Sequence, residues 1–208
     1  DHQLYWRRGL SLDTTGLSVY IAPESVYSDQ IIRMDISQTT GFANPVYRVG
    51  SSDIPTHEAF ELAIEIPAKE LPHLDKTYIA YIDSKNKSNF MGGSILNNRL
   101  VVKSRVFGRF TVMTDTQPPM VTIKAQPNAD HRSKPLLTIT ISDTQSGIAF
   151  YRCQIDGQWQ LFDYDPKSSL LSGDLRRMNL KRGVKHQLEV KVTDARGNER
   201  VQKYSFLY

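Results

Sequence analysis

Pro118 and Pro119 stand side by side just past the middle of the chain, in Asp115-Thr116-Gln117-Pro118-Pro119. Each ring holds φ at about −65° and removes a backbone donor, so neither residue can lie inside a central strand. Each also drives the residue before it towards an extended conformation. A run with Phe110 and Val112 alternating ends before the pair, and a run with Val121 and Ile123 alternating begins after it. The pattern predicts two β domains, 1–116 and 117–208, joined by a short stiff hinge. A chain of 208 residues suits two ordinary domains better than one sandwich.

Period-2 alternation puts apolar residues on one face of a strand. In the first domain it occurs at Leu17, Val19 and Ile21; at Ile32, Met34 and Ile36; at Tyr47 and Val49; and at Tyr78, Ala80 and Ile82. The cleanest run is Phe60, Leu62, Ile64 and Ile66, stopped by Pro67. Asn97-Asn98 reads as a tight turn, Gly92-Gly93 as a hairpin or bulge pair, and Ala68–Leu74 as one short helical turn at most. In the second domain Leu137, Ile139 and Ile141 alternate, as do Leu188, Val190 and Val192. Asp156-Gly157 joins Phe150–Ile155 to Trp159–Asp163 as a hairpin, and Tyr204, Phe206 and Tyr208 close the domain. The chain therefore reads as all-β, with two tandem antiparallel β-sandwich domains. The second has the seven-strand rhythm of an immunoglobulin-like or fibronectin-type sandwich.

With 39% hydrophobic and 23% charged residues the chain can bury a core. No apolar run reaches the roughly 18 residues that a membrane span needs. The first domain carries a net −1 and the second +5, too modest to call for nucleic acid. Cys153 is the one cysteine, so no internal disulfide forms, and Arg152-Cys153-Gln154 places the thiol against a core.

No catalytic residue is assigned from the sequence. The five histidines are scattered, without a His-Glu-x-x-His or a His-x-His, and Gly-x-Ser-x-Gly is absent. Asp163 and Asp165 would share a strand face, but a strand running into a turn at Pro166 explains them more cheaply than an acid–base pair. Asp143 and Asp194 each end a strand before a turn rich in Gly, Ser or Asn. They are weak candidates for calcium ligands if those ends meet, and otherwise cap their own turns. Two ligand-contact candidates remain. Trp159, Phe162 and Tyr164 are a candidate sugar-stacking platform. Arg176, Arg177, Lys181, Arg182 and Lys185 form a basic run free of acids, suited to an anionic partner such as a glycan polymer, a lipid headgroup or nucleic acid. The bland readings are edge packing for the aromatics and a solvated loop for the run.

Val106-Phe107-Gly108-Arg109-Phe110-Thr111-Val112, leading into Asp115–Pro119, resembles the region after the catalytic domain in lysostaphin-type zinc endopeptidases of Bacteroidetes. The resemblance continues through Ile141-Ser142-Asp143, Ser146-Gly147-Ile148, Ile155-Asp156-Gly157-Gln158-Trp159 and Tyr164-Asp165. It ends in His186-Gln187-Leu188, Val192-Thr193-Asp194 and Gly197-Asn198. Ile21–Tyr27 and Val46–Gly50 are similar to the same tails and, more distantly, to the start of ZU5-type β domains. The resemblance implies a non-catalytic accessory region of an exported murein-acting peptidase, periplasmic or in the outer envelope. Its partner would be peptidoglycan or the parent's catalytic domain. Zinc would sit only in that separate domain, whose His-x-x-x-Asp and His-x-His segments do not occur here, so no cofactor is expected in this chain. The alternative is a carbohydrate-binding or adhesion-type surface module.

Overall fold

The computed structural model describes residues 1–208 and divides into two compact units, Asp1–Asp115 and Thr116–Tyr208. It is all-β, with no α-helix.

The first unit holds twelve strands: β1 (His2–Leu4), β2 (Leu10–Thr14), β3 (Leu17–Ile21), β4 (Gln30–Ile32), β5 (Met34–Ser37), β6 (Val46–Val49), β7 (Phe60–Glu65), β8 (Thr77–Ile82), β9 (Ser88–Gly92), β10 (Ser94–Leu96), β11 (Arg99–Ser104) and β12 (Gly108–Thr114). Two antiparallel sheets, β10-β11-β7-β3-β2 and β5-β6-β12-β8-β9, close on one core. A small β1-β4 sheet adds Leu4 and Ile32 to that core. As its alternation requires, β7 buries Phe60, Leu62 and Ile64 and leaves Glu61 and Glu65 outside. Phe60 stacks on Phe107 at 4.5 Å between centroids.

One sequence reading changes here, while the glycine pair keeps the bulge role read for it, since the β8–β9 register shifts at Gly92. Ile32, Met34 and Ile36 do not share one strand. The chain breaks at Arg33, whose carbonyl accepts from the Gly50 N–H at 2.8 Å; β4 then pairs with β1 and β5 with β6. Gly92 and Gly93 mark the point where the chain leaves one sheet for the other, β9 pairing with β8 and β10 with β11. Their φ values, 79° and 136°, lie where side chains are rarely tolerated. Residues Ala68–Lys76 form a short 3₁₀ segment, held to β12 through the Glu70 carboxylate. That carboxylate accepts from Thr114 at 2.6 Å and Asn44 at 2.9 Å.

The second unit holds β13 (Met120–Ile123), β14 (Ala129–Asp130), β15 (Leu136–Ser142), β16 (Ile148–Ile155), β17 (Gln158–Trp159), β18 (Asp163–Asp165), β19 (Leu170–Asp174), β20 (Lys185–Asp194) and β21 (Glu199–Leu207). Its sheets are β13-β15-β19-β18 and β14-β21-β20-β16-β17. Lettered along the chain, this is the immunoglobulin order ABED facing GFC, with β17 as an extra edge strand. The expected first strand is split: β13 pairs with β15, and β14 runs parallel to β21 on the other sheet. The core lies between the sheets, with Ile139, Ile141 and Leu171 facing Cys153, Leu188, Val190 and Phe206. Asp156 and Gly157 have φ of 50° and 80°, as a type I′ hairpin turn requires.

Candidate functional site

The stretch expected as one strand, Trp159–Asp163, is not one. Gln158 and Trp159 pair with Gln154 and Ile155, and the Gln160 N–H still reaches the Cys153 carbonyl at 3.0 Å. The chain then crosses to the opposite sheet, where Asp163–Asp165 pair with β19. The crossing turns Phe162 inward. It is 1% exposed, and Tyr151 donates its hydroxyl to the Phe162 carbonyl at 3.0 Å. Gly173 makes room for the ring, since a Cβ there would come within 2.5 Å of it. Phe162 is therefore a core residue and not part of a sugar-stacking surface. Tyr164 is half-buried, packs against the core and tilts against Tyr151 at 5.7 Å, so it too leaves the platform. Of the three aromatics only Trp159 faces solvent, with 60% of its surface exposed.

Trp159 lines an open cleft of about 230 Å³ with residues that no sequence pattern picked out: Gln160, Leu161, Ser172, Asp174 and Met178. Asp163 and Arg177 join them. Leu161 is 62% exposed beside Trp159, while Met178 is half-buried and packs against the core. The far side of the cleft is shaped by the short 3₁₀ turn Leu175–Arg177. Asp174 caps it by accepting from the Arg176 N–H at 3.0 Å, and Leu175 is buried. Arg176 also binds both oxygens of Asp174, Nε at 3.0 Å and Nη2 at 2.8 Å, which holds that carboxyl down at about 2. Arg177 approaches Asp174 only to 3.9 Å, beyond hydrogen-bonding distance, and is 85% exposed.

All five basic residues of the run are exposed, and two of them, Arg176 and Arg182, already have partners. Arg176 is spent on Asp174. Arg182 lies over the Tyr208 ring at 4.9 Å and donates to its hydroxyl at 3.4 Å and to the Arg132 carbonyl at 3.2 Å. Lys181 and Lys185 are exposed, Lys185 as the first residue of β20. His186 is buried between Asp156 (2.6 Å to Nδ1) and the Lys181 carbonyl (2.8 Å to Nε2). Both ring nitrogens therefore lie within hydrogen-bonding distance of an oxygen. In this way the ring fastens the end of the basic run to the Asp156-Gly157 turn.

Asp143 and Asp194 do come together, with a carboxylate oxygen of each within 4.8 Å of the other. Their turns are joined by the Ala195 N–H donating to the Gly147 carbonyl at 3.0 Å. Each carboxylate also serves its own turn. Asp143 Oδ1 accepts from the Gln145 and Gly147 N–H groups at 3.0 and 2.8 Å. Asp194 Oδ1 accepts from Arg196 and Asn198 N–H at 2.8 and 2.9 Å, and its Oδ2 accepts from Asn198 Nδ2 at 2.8 Å. The two carboxylates thus meet, as calcium ligands would have to, and each also caps its own turn. Asp165 likewise caps, accepting from the Lys167 N–H at 3.0 Å and the Ser168 hydroxyl at 2.6 Å. Burial pushes the Cys153 thiol up to about 12, which removes the thiolate a nucleophile needs.

Two β-sandwich units and an open, mixed-polarity cleft define the class. The chain belongs to the Zu5-like domain family, which matches residues 1–115, more than half its length. No curated protein matches the chain. Among solved structures it has a partial likeness to the spore cortex lytic enzyme SleM of Clostridium perfringens, with a TM-score of 0.29 and 11% identity. That likeness covers 55% of this chain and 36% of SleM, so the chain spans only about a third of that enzyme. No helix is long and apolar enough to cross a membrane.

Proposed function

We propose that this chain is a non-catalytic accessory region of an exported cell-envelope protein, and that it binds or orients its parent on the cell wall. The observation that carries the reading is the contrast in the second unit between its reactive groups and the open cleft beside Trp159. Cys153 is buried as a thiol, His186 is locked between two acceptors, and Asp143, Asp165 and Asp194 cap turns. Trp159 and Arg177, by contrast, face solvent with little holding them. Membership of the Zu5-like family and the resemblance to the tails of lysostaphin-type endopeptidases support the same reading.

Sedimentation with purified peptidoglycan sacculi tests it. The chain should pellet with the sacculi and should release no soluble fragments from them, with or without added zinc. Metal-dependent release would make the chain an enzyme and overturn the reading.

A further inference from the structure

We propose that the cleft beside Trp159 is a binding site for a glycan chain that bears carboxylate groups. This deepens the wall-binding reading and rests on it for the source of the glycan, but the chemistry is that of the cleft itself. An indole face is electron-rich and apolar, and the C–H face of a pyranose ring is its natural complement. Trp159 presents such a face at 60% exposure, and Leu161 extends the apolar floor at 62%. Gln160, Ser172 and Asp163 border the same space with the donors and acceptors that sugar hydroxyls require.

Charge narrows the class. Asp174 is satisfied on both oxygens by Arg176, so the Arg177 guanidinium beside it is left with one loose ion pair at 3.9 Å. A planar guanidinium fork matches a carboxylate in two parallel hydrogen bonds. Asp163 lines the same cleft, which keeps the local charge near balance and disfavours a dense polyanion held by charge alone. The size points to a polymer. At about 230 Å³ the cleft is smaller than the roughly 300–1,000 Å³ sites that enclose a drug-sized ligand, and it is open to solvent. It therefore holds part of a chain that continues past it.

The test uses the whole chain and two probes: peptide-free murein glycan strands, and the same strands with their carboxyls reduced to alcohols. Affinity is read by calorimetry and by Trp159 fluorescence in a Trp6→Phe background. Native strands should bind about tenfold more tightly than reduced ones. Trp159→Ala should weaken binding to native strands at least tenfold, and Trp159→Phe should restore part of it. Arg177→Gln should bring the two probes to within about twofold of each other. Equal binding of both probes by the native chain, or a Trp159→Ala variant that binds as well as the native chain, would overturn the proposal. Sacculi retained equally by native chain and Trp159→Ala would sink the cleft but leave the wall-binding reading standing. Strands bound through Trp159 by a chain that ignores intact sacculi would do the reverse.

Discussion

The two tryptophans, one in each unit, meet opposite fates. Trp6 follows β1, packs against the first unit's core, and donates its backbone N–H to Asp29 at 2.9 Å. The Arg7 guanidinium lies 4.6 Å above its ring, so a face that could take a ligand is occupied by the chain's own cation. Trp159 sits on a two-residue edge strand with no strand beyond it, and its neighbour Arg177 lines the cleft without stacking on it. Exposure here follows from position in the sheet. An aromatic near a core is covered by it, whereas one on the last strand of a sheet keeps a face for a partner.

Phe162 gives the hardest test of that contrast, because it lies three residues from Trp159 and on the other side of the boundary. Phe162→Ala should destabilise the second unit by about 3–5 kcal/mol, the usual cost of emptying a large buried aromatic. Urea unfolding followed by Trp159 emission would measure it. A loss below about 1 kcal/mol would return Phe162 to the surface and break the comparison.

A smaller effect separates the tryptophans themselves. Trp6→Ala should cost about 2 kcal/mol, since its ring is partly buried against the core. Trp159→Ala should stay within about 0.5 kcal/mol, as an exposed substitution does. In single-tryptophan variants iodide should quench Trp159 strongly and Trp6 weakly. Equal quenching would mean the two rings are equally covered.

The smallest effect sharpens how the hairpin beside Trp159 is held. Burial raises the Asp156 carboxyl, but the bonds from His186 and the Gln187 N–H outweigh it and leave the group below its ordinary range. A carboxyl lowered in the folded state stabilises fully above its unfolded value of about 3.9, and that contribution is lost as pH falls through the folded value. Asp156→Asn should therefore lower stability near neutral pH and flatten the loss seen below about pH 4 in urea titrations. An unchanged acid limb would show that the contact does not anchor the turn.

Much of the fold was legible because its signals are local. Alternation in β3, β7, β15 and β20 marks a strand face without reference to any partner. The Asn97-Asn98 and Asp156-Gly157 turns follow from residues that accept positive φ. Asp143 and Asp194 were readable as turn caps, because an Asp ahead of a Gly- or Asn-rich turn bonds N–H groups within four residues of itself. The cleft was only half legible. Trp159 and Arg177 could be named, but Leu161, Ser172 and Met178 belong to no motif, and β19 was hidden because Leu170-Leu171-Ser172-Gly173-Asp174 does not alternate.

The sequence by itself thus determined the β class and the tight turns, each through interactions of a residue with its near neighbours. Only the tertiary structure decided which aromatics are surface and which are core. Phe162 goes inward because Gly173, eleven positions on, leaves room for its ring on the neighbouring strand. Arg177 comes to line a cleft with a tryptophan from another strand. Those outcomes depend on which strands the sheets bring together, and side-chain period alone carries no record of that.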